Sequence, residues 1–253
     1  MKSFTYQSDL ILNLARRNFI LGYKGSTLGI LWSALLPLCQ LLVLVFVFRK
    51  ILPLGIEDFP AFLFAALLPW NWFSTSINSA SNIFLVNRDL MRRPNFAPQM
   101  LIVVDALTNL LTFLISLPIL FALLTFYGRG MTIYLLFFPL LVLIQGILIV
   151  GLGLIIATLN VFYRDVAHIA SVAIMLLFWF TPIFYQPETV PKEYRFLFTW
   201  NPMAVLVESY RAVFFGTPLE WNSLLLSSIL SVTLCGLGYI IYQRQLHDII
   251  DAI

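Results

Sequence analysis

Side chains that could act as nucleophiles, bases or metal ligands are scarce in this sequence and are not clustered. His168 and His247 lie near the ends of apolar stretches, where we interpret them as surface residues. Cys39 and Cys235 lie inside such stretches, where a thiol behaves as a small apolar group. The G-x-x-x-x-G-K-S/T loop that cradles nucleotide phosphates is absent. We therefore expect no catalytic residue, no metal site and no cofactor in this chain.

Asp105 is the one charged residue within a long apolar stretch, about nine residues from its start. A carboxylate at membrane depth is costly to keep charged, so such a residue is a candidate for function. A proton relay is one interpretation. The other, which we favour, is a structural role near the cytoplasmic end, within reach of Arg92, Arg93 or interfacial water.

Uncharged polar residues form two stripes at helical spacing. They are Thr108, Asn109, Thr112 and Ser116 in the stretch that holds Asp105, and Asn71, Ser74, Asn78 and Ser81 in the stretch before it. Residues three and four apart share one helix face, and small polar side chains bond transmembrane helices together at about 0.6 kcal/mol each. We expect contacts between helices, and a pore-lining role for some of these residues is left open.

The connection over 186–220 contains the signals of a further helix. Asn201 is a good N-cap, a proline follows it at the first helical position, and Gly216 is a good stop. The predicted helix over 202–215 has a length of roughly 21 Å, too short to cross a bilayer. Glu208 and Arg211 are three residues apart and can pair on one face of this helix.

The remaining sequence supplies the elements that must position these residues. Six stretches with almost no charge, at about 28–48, 59–86, 96–127, 131–159, 168–185 and 221–243, are each long enough to span a membrane as a helix. The chain is 60% hydrophobic and 11% charged, against about 25% charged in soluble proteins. These features predict an all-α integral membrane protein and exclude a soluble globular fold.

The basic residues lie mainly on one side of the six predicted spans. Six spans place both termini on that side, which holds nine of the fifteen Lys and Arg residues: Lys2, Arg16, Arg17, Lys24, Arg88, Arg92, Arg93, Arg164 and Arg244. Because positively charged loops stay in the cytoplasm, both termini are predicted to be cytoplasmic. The region 1–27 contains an amphipathic helix that should lie in the membrane interface.

Four short segments in fixed order resemble those of a known family. They are YKGSTLGILW at 23–32, followed by Pro37, then TLNVFYRD at 158–165, FWFTPI at 178–183 and NPM at 201–203. The sequence is similar to ABC-2 type transporter permeases. Within that class it most resembles the polysaccharide exporters that carry O-antigen and teichoic acid.

The resemblance implies one ABC-2 transmembrane domain over 1–253, located as a multi-pass protein in the bacterial plasma (inner) membrane. Such a permease pairs with a second copy of itself and with two separate ATP-binding-cassette subunits, which hold ATP and Mg²⁺. It exports a lipid-linked glycan, as in lipopolysaccharide biosynthesis, and binds no nucleic acid. The chain itself would be a pore-forming subunit and not an enzyme.

The resemblance also implies roles for individual positions. Aromatic residues of the first and fifth spans line the glycan path in the family, which points to Trp32, Phe178 and Trp179. The outer gate would be formed by Asn201, Pro202, Glu208 and Arg211. The surface that contacts the ATPase would include Arg16, Arg17, Asn87, Arg88, Asp89, Arg92, Arg93, Arg164 and Asp165.

Two other functions stay open at this point. An ABC-2 exporter of a different amphipathic cargo has the same sequence features. A proton-coupled secondary transporter could use Asp105, although such proteins contain inverted repeats or paired broken helices that are not evident here. Co-purification with an ATPase would separate the exporters from the secondary transporter.

Overall fold

The computed structural model describes residues 2–22, 24–92 and 96–252, without the side chains of residues 2–10, and all regular secondary structure within these ranges is helical. The predicted all-α class is therefore confirmed. The helices are α1 (Lys2–Gly22), α2 (Leu31–Phe46, extended by a π turn at Val47–Ile51), α3 (Phe59–Ser81), α4 (Ile83–Val86), α5 (Arg88–Met91), α6 (Gln99–Phe126), α7 (Phe138–Phe162, preceded by a 3-10 turn at Ile133–Phe137), α8 (Asp165–Trp179), α9 (Phe196–Thr199, preceded by 3-10 turns at Pro187–Thr189 and Lys192–Tyr194), α10 (Pro202–Phe215) and α11 (Trp221–Ala252).

Four helical segments are long and apolar enough to cross a membrane: Leu31–Ile51, Gln99–Phe126, Ile133–Phe162 and Trp221–Ala252. They coincide with the first, third, fourth and sixth predicted spans. The helices in the second and fifth predicted spans are not both long enough and apolar enough to meet this description. With 15 residues α8 is short, and α3 has 23 residues but carries Asn and Ser residues in its second half that lower its hydropathy.

Two helix boundaries differ from the bounds of the predicted spans. The second span was predicted to run through residue 86, but α3 ends at Ser81 because the hydroxyl of Ser81 bonds to the Asn78 carbonyl and competes with the helical pattern. The fifth was predicted over 168–185, but α8 starts at Asp165 and ends at Trp179. Pro182 disfavours continuation of that helix.

Helix α3 occupies the centre of the bundle. Its side chains between Phe59 and Phe73 are almost all buried, and it contacts α2, α6, α7, α8 and α10. A helix that is enclosed on all sides is a core element, and its neighbours determine which of its residues can be polar. The polar residues of α3 include Asn71 and Ser79, which bond to neighbouring helices, and the exposed Asn78, which bonds within α3.

Helices α7 and α11 approach each other through small residues. A Cβ atom built on Gly151 would lie 2.6 Å from the Cα of Cys235, and one on Gly153 would lie 2.9 Å from Ile102 of α6. The glycines thus permit contact between helix backbones, as small residues do in membrane proteins.

Helix α1 lies along α6 with its apolar face inward. Ala15 and Phe19 are buried, whereas Arg16 and Arg17 are exposed. The Thr108 hydroxyl of α6 donates to the carbonyl of Ala15 at 3.4 Å. The first helix is therefore attached to the bundle and leaves two cations free on its outer face.

The α7–α11 contact predicts opposite effects for two glycine substitutions. Gly151→Ala should destabilise the fold by about 1–3 kcal/mol, because the new methyl group overlaps the backbone of α11. Gly146→Ala is the control, since its Cβ would meet only Trp72 at 3.9 Å. Alanine is favoured over glycine in helices by about 0.8–1.0 kcal/mol, so this variant should be neutral or stabilised. Thermal unfolding of the purified chain in detergent measures both, and equal midpoints would contradict the packing described.

Candidate transport path and coupling surface

Helix α10 has the capping residues that its sequence predicts. The side chain of Asn201 accepts a hydrogen bond from the backbone N–H of Met203 at 3.0 Å, and Pro202 occupies the first helical position. The helix ends at Gly216, whose φ of 74° is in the left-handed region that favours glycine. Both ends of α10 are therefore fixed by local interactions.

Arg211 joins α10 to two other elements from a buried position. Its guanidinium is 5% exposed and pairs with Glu208, as the three-residue spacing predicts. It also donates to the carbonyls of Phe62 in α3, at 3.3 Å, and of Ile183 after α8, and it stands 3.6 Å from the centroid of the Phe62 ring. Each of the three guanidinium nitrogens donates one hydrogen bond, which lowers the cost of burying this charge.

A second ion pair fixes the outer ends of the neighbouring helices. Arg129, after α6, bonds to Asp58 at 3.0 Å and lies 5.5 Å from the centroid of the Phe215 ring at the end of α10. The Thr132 hydroxyl donates to the carbonyl of Val213 at 3.2 Å. The ends of α3, α6 and α10 are therefore held together.

A cavity of about 560 Å³ opens beside α10 and is lined by both acidic and basic side chains. Glu188, Glu208 and Glu220 face it together with Arg195. Burial raises the pKa of the Glu208 carboxyl, and the neighbouring Arg211 acts in the opposite direction. Of the four predicted gate residues, Glu208 and Arg211 line this cavity, whereas Asn201 and Pro202 are not among its lining residues.

The structure brings two of the three predicted path aromatics together. Phe178 contacts Trp179 and Trp70, each with ring centroids 5.7 Å apart, and Trp179 is 58% exposed. Phe184, which follows α8, stacks on Phe48 beyond the end of α2 at 4.8 Å.

The third predicted aromatic stands apart from this cluster. Trp32 lies in the first turn of α2 and is partly exposed, sixteen residues before Phe48. At helical rise this separation is roughly 24 Å. Any path that uses all three predicted aromatics must therefore run along most of the length of α2.

Helices α2, α3 and α6 enclose a second cavity of about 420 Å³. Its polar lining consists of Ser33, Gln40, Asn71, Thr75, Asn109, Thr112 and Ser116. The sequence stripes identified the residues of α3 and α6 but not Gln40, whose Oε1 accepts from Asn71 at 3.0 Å. The signal available in the sequence was an isolated glutamine within an apolar stretch. The structure shows that α3 faces this position.

Asp105 is held by uncharged partners. Its carboxylate accepts hydrogen bonds from the Ser79 hydroxyl and from the Asn109 amide, the latter at 3.1 Å. Of the partners considered for it, Arg92 forms no ion pair with Asp105 in the described part of the chain, and Arg93 lies outside that part. The bonds to Ser79 and Asn109 link α3 to α6, and the structural role and the proton relay both stay predictions.

The residues predicted to contact an ATPase lie on three separate segments. The first is α1, with its exposed Arg16 and Arg17. The second is the break after α4, where the Asn87 side chain donates to the Ile83 carbonyl of α4 at 2.8 Å and Asn87 immediately precedes the short α5. Arg88, Asp89 and Arg92 are exposed there, and Arg164 and Asp165 are exposed at the α7–α8 turn.

A buried asparagine that sequence reasoning did not single out connects two of these segments. Asn160, 1% exposed, donates from Nδ2 to Asn82 Oδ1 at 3.2 Å, and its Oδ1 accepts from the backbone N–H of Ala167 at 3.0 Å. It thereby caps α8 from the last turn of α7 and ties both to the end of α3. The α4–α5 segment and the α7–α8 turn are therefore held in fixed register.

The chain is similar to known transport proteins over nearly its whole length. Residues 9–215 match the family model described as ABC-2 type transporter. The O-antigen export system permease protein RfbA of Myxococcus xanthus is 34% identical, with 96% of this chain and 95% of that protein covered. The protein of the same name from Klebsiella pneumoniae is 29% identical over 94% and 93%. The polysialic acid transport protein KpsM of Escherichia coli is 28% identical, with 86% of each chain covered.

Removal of Arg211 should destabilise the protein strongly. Arg211→Ala leaves the carbonyls of Phe62 and Ile183 without this donor and Glu208 without its cation, a loss of about 3 kcal/mol. Arg195→Ala serves as control, because Arg195 is exposed and bonds only to nearby loop carbonyls. The thermal midpoint in detergent should fall for the first variant and stay within a degree or two for the second. Similar midpoints would show that the buried pair contributes little.

Substitution of Asn160 should also lower stability, through a different mechanism. Asn160→Ala removes the cap of α8 and the donor to Asn82 Oδ1, which should cost about 1–2 kcal/mol. Asn222→Ala, at an exposed position in α11, controls for the loss of an amide. Hydrogen exchange of the first turn of α8 should accelerate in the Asn160 variant alone. Unchanged exchange there would contradict the capping role.

Proposed function

Because the chain belongs to the ABC-2 type transporter family, we propose that it is the membrane permease subunit of an ATP-driven exporter of lipid-linked polysaccharide. The cargo would be an O-antigen, a teichoic acid or a similar glycan, carried outward from the cytoplasmic side. The observation that carries this proposal is the near full-length similarity to permeases named for O-antigen and polysialic acid transport. Four helices of membrane length support it.

The proposed topology has six spans with both termini in the cytoplasm. In addition to the four long apolar segments, α3 and α8 would cross the bilayer. The core position of α3 supports its assignment, because a helix enclosed by protein needs less apolar surface than one facing lipid. For α8, the 15 helical residues reach roughly 22 Å, and the segment up to Tyr185 completes the crossing. The bacterial plasma membrane is the expected location.

Helix α10 would enter the outer half of the membrane and return, as a gate over the exit. Its fourteen residues are too short to cross, yet most of them are buried. Arg211 would hold this gate against α3 and the end of α8, with Glu208 facing the outer cavity. Asn201 and Pro202 would fix the residue at which this helix begins.

ATP hydrolysis would occur on a separate partner, since the sequence has no phosphate-binding loop. Two ATP-binding subunits would dock beneath two copies of this chain, against α1, α5 and the α7–α8 turn. The exposed cations of these segments support an electrostatic contact. The Asn82–Asn160 bond gives a route by which displacement of α5 reaches α8.

The glycan would pass along α2 and α8. Trp32 would contact it near the cytoplasmic entrance, and Phe178 and Trp179 near the exit, with apolar rings that tolerate a moving sugar chain. The exposed apolar residues of both helices support a position facing this path or a second copy of the chain, namely Leu36, Val43 and Phe46 in α2 and Val172, Met175 and Trp179 in α8.

Reversal of charge on α5 tests the assignment of the docking surface. In a complex of permease and partner ATPase reconstituted in nanodiscs, Arg88→Glu with Arg92→Glu should weaken permease-stimulated ATP hydrolysis. Coupling between sites is commonly about 1–3 kcal/mol, so a fall of about tenfold or more is expected.

Lys192→Glu is the matched control for this experiment. Lys192 is also an exposed cation, but it lies in the connection between α8 and α10, at the opposite end of the proposed topology. It should leave hydrolysis unchanged. Full stimulation by the α5 double variant, in an intact complex, would remove α5 from the coupling surface.

A further inference from the structure

The cavity between α2, α3 and α6 combines polar groups with an absence of charge. Among the residues that the structure describes, no Lys, Arg, Asp or Glu lines it. The carboxylate of Asp105 is one hydrogen bond away, since it accepts from the amide of the lining residue Asn109. Its volume of about 420 Å³ is within the range of about 300–1,000 Å³ that is usual for ligand pockets.

Several hydrogen-bonding groups that line this cavity have no partner within the described part of the chain. The bond between Gln40 and Asn71 uses one atom of each amide, which leaves Gln40 Nε2 as a free donor and Asn71 Oδ1 as a free acceptor. The hydroxyls of Thr75 and Thr112 are also unpaired among the residues that the structure describes. Gln40, Asn71 and Thr112 are half-buried and Thr75 is exposed, so these groups are open to a ligand or to water that enters the cavity.

The other walls of the cavity are flat and apolar. Trp72 and Phe113 are buried and stacked, with ring centroids 5.7 Å apart and an angle of 9° between the rings. The indole N–H of Trp72 is already donated to the Ala106 carbonyl at 3.0 Å, so its ring contributes only apolar surface. A ligand that fits these walls has hydroxyl groups at its edges and C–H faces.

We propose that this cavity binds a neutral, hydroxyl-bearing group, with Gln40, Asn71 and Thr112 as its hydrogen-bond partners. A phosphate is disfavoured because no cation lines the site. A sugar unit of the glycan has the required chemistry, and the hydroxyls of a glycerol headgroup share it. The identification of the ligand as a sugar rests on the proposed function. The preference for a neutral ligand with hydroxyl groups rests on the lining residues alone.

Equilibrium binding to the complete permease and ATPase complex tests this inference. The probe is the radiolabelled, delipidated glycan of the producing strain, added to complexes in phosphatidylcholine nanodiscs. Gln40→Leu and Asn71→Leu should each weaken binding about tenfold, which is the effect of a lost interaction to a buried ligand. Thr112→Val should also weaken binding. Because valine keeps the shape of the threonine side chain, a folding defect is not expected to cause this loss.

Asn78→Leu is the control on the same helix. Asn78 is exposed, does not line the cavity, and bonds only to the Ser74 carbonyl. This variant should bind the glycan like the wild type. A loss of binding equal to that of Asn71→Leu would overturn the assignment of the site.

A second arm separates the two sources of hydroxyl groups. Complexes are purified in the presence of phosphatidylglycerol and without glycan, and the lipid that they retain is measured by native mass spectrometry. Retention of this lipid by the wild type, and its loss in Gln40→Leu and Asn71→Leu, would support the site with a lipid headgroup as its ligand. If all variants match the wild type for both probes, the cavity holds only water and the inference fails. ATP-driven export that continues normally in those variants would leave the proposed function intact.

Discussion

Inside a bilayer, a polar side chain must find its hydrogen-bond partner within the protein, and this requirement arranges the helices around α3. Asn71, Trp72 and Ser79 of α3 bond to α2 and α6. From the other side, Gln145 of α7 donates to the Pro69 carbonyl at 2.7 Å. Each of these bonds fixes the rotation of one neighbour relative to α3. The two cavities lie where such neighbours leave space between them.

The same helix connects the two ends of the molecule. Near its start, the Phe62 carbonyl and ring receive Arg211 of α10. Just after its end, Asn82 receives Asn160 of α7, which also caps α8. Helix α3 is therefore a continuous packed element between the Asn82–Asn160 bond and α10.

The sequence predicted best those features that depend on neighbouring residues. Helix α10 was placed correctly because Asn201 and Gly216 fix its ends locally, and the all-α class followed from the apolar stretches. The sequence predicted less well those features that depend on contacts between residues far apart in the chain. The break at Asn82, the pairing of Gln40 with Asn71, and the bonds of Asp105 all depend on which helices are adjacent in space. The separation of Trp32 from the other aromatics also required the relative placement of α2 and α8.

The glycine contact between α7 and α11 has a mechanical consequence. Backbones that meet at Gly151 and Gly238 cannot slide past each other without a clash, so this pair of helices should behave as a single rigid body during the transport cycle. Helix α8 has mainly exposed side chains along its length and is bonded at its first turn through Asn160. The segment just after α8 is bonded to α10 through Arg211 and Asn201, so this helix is held at its two ends more than along its length.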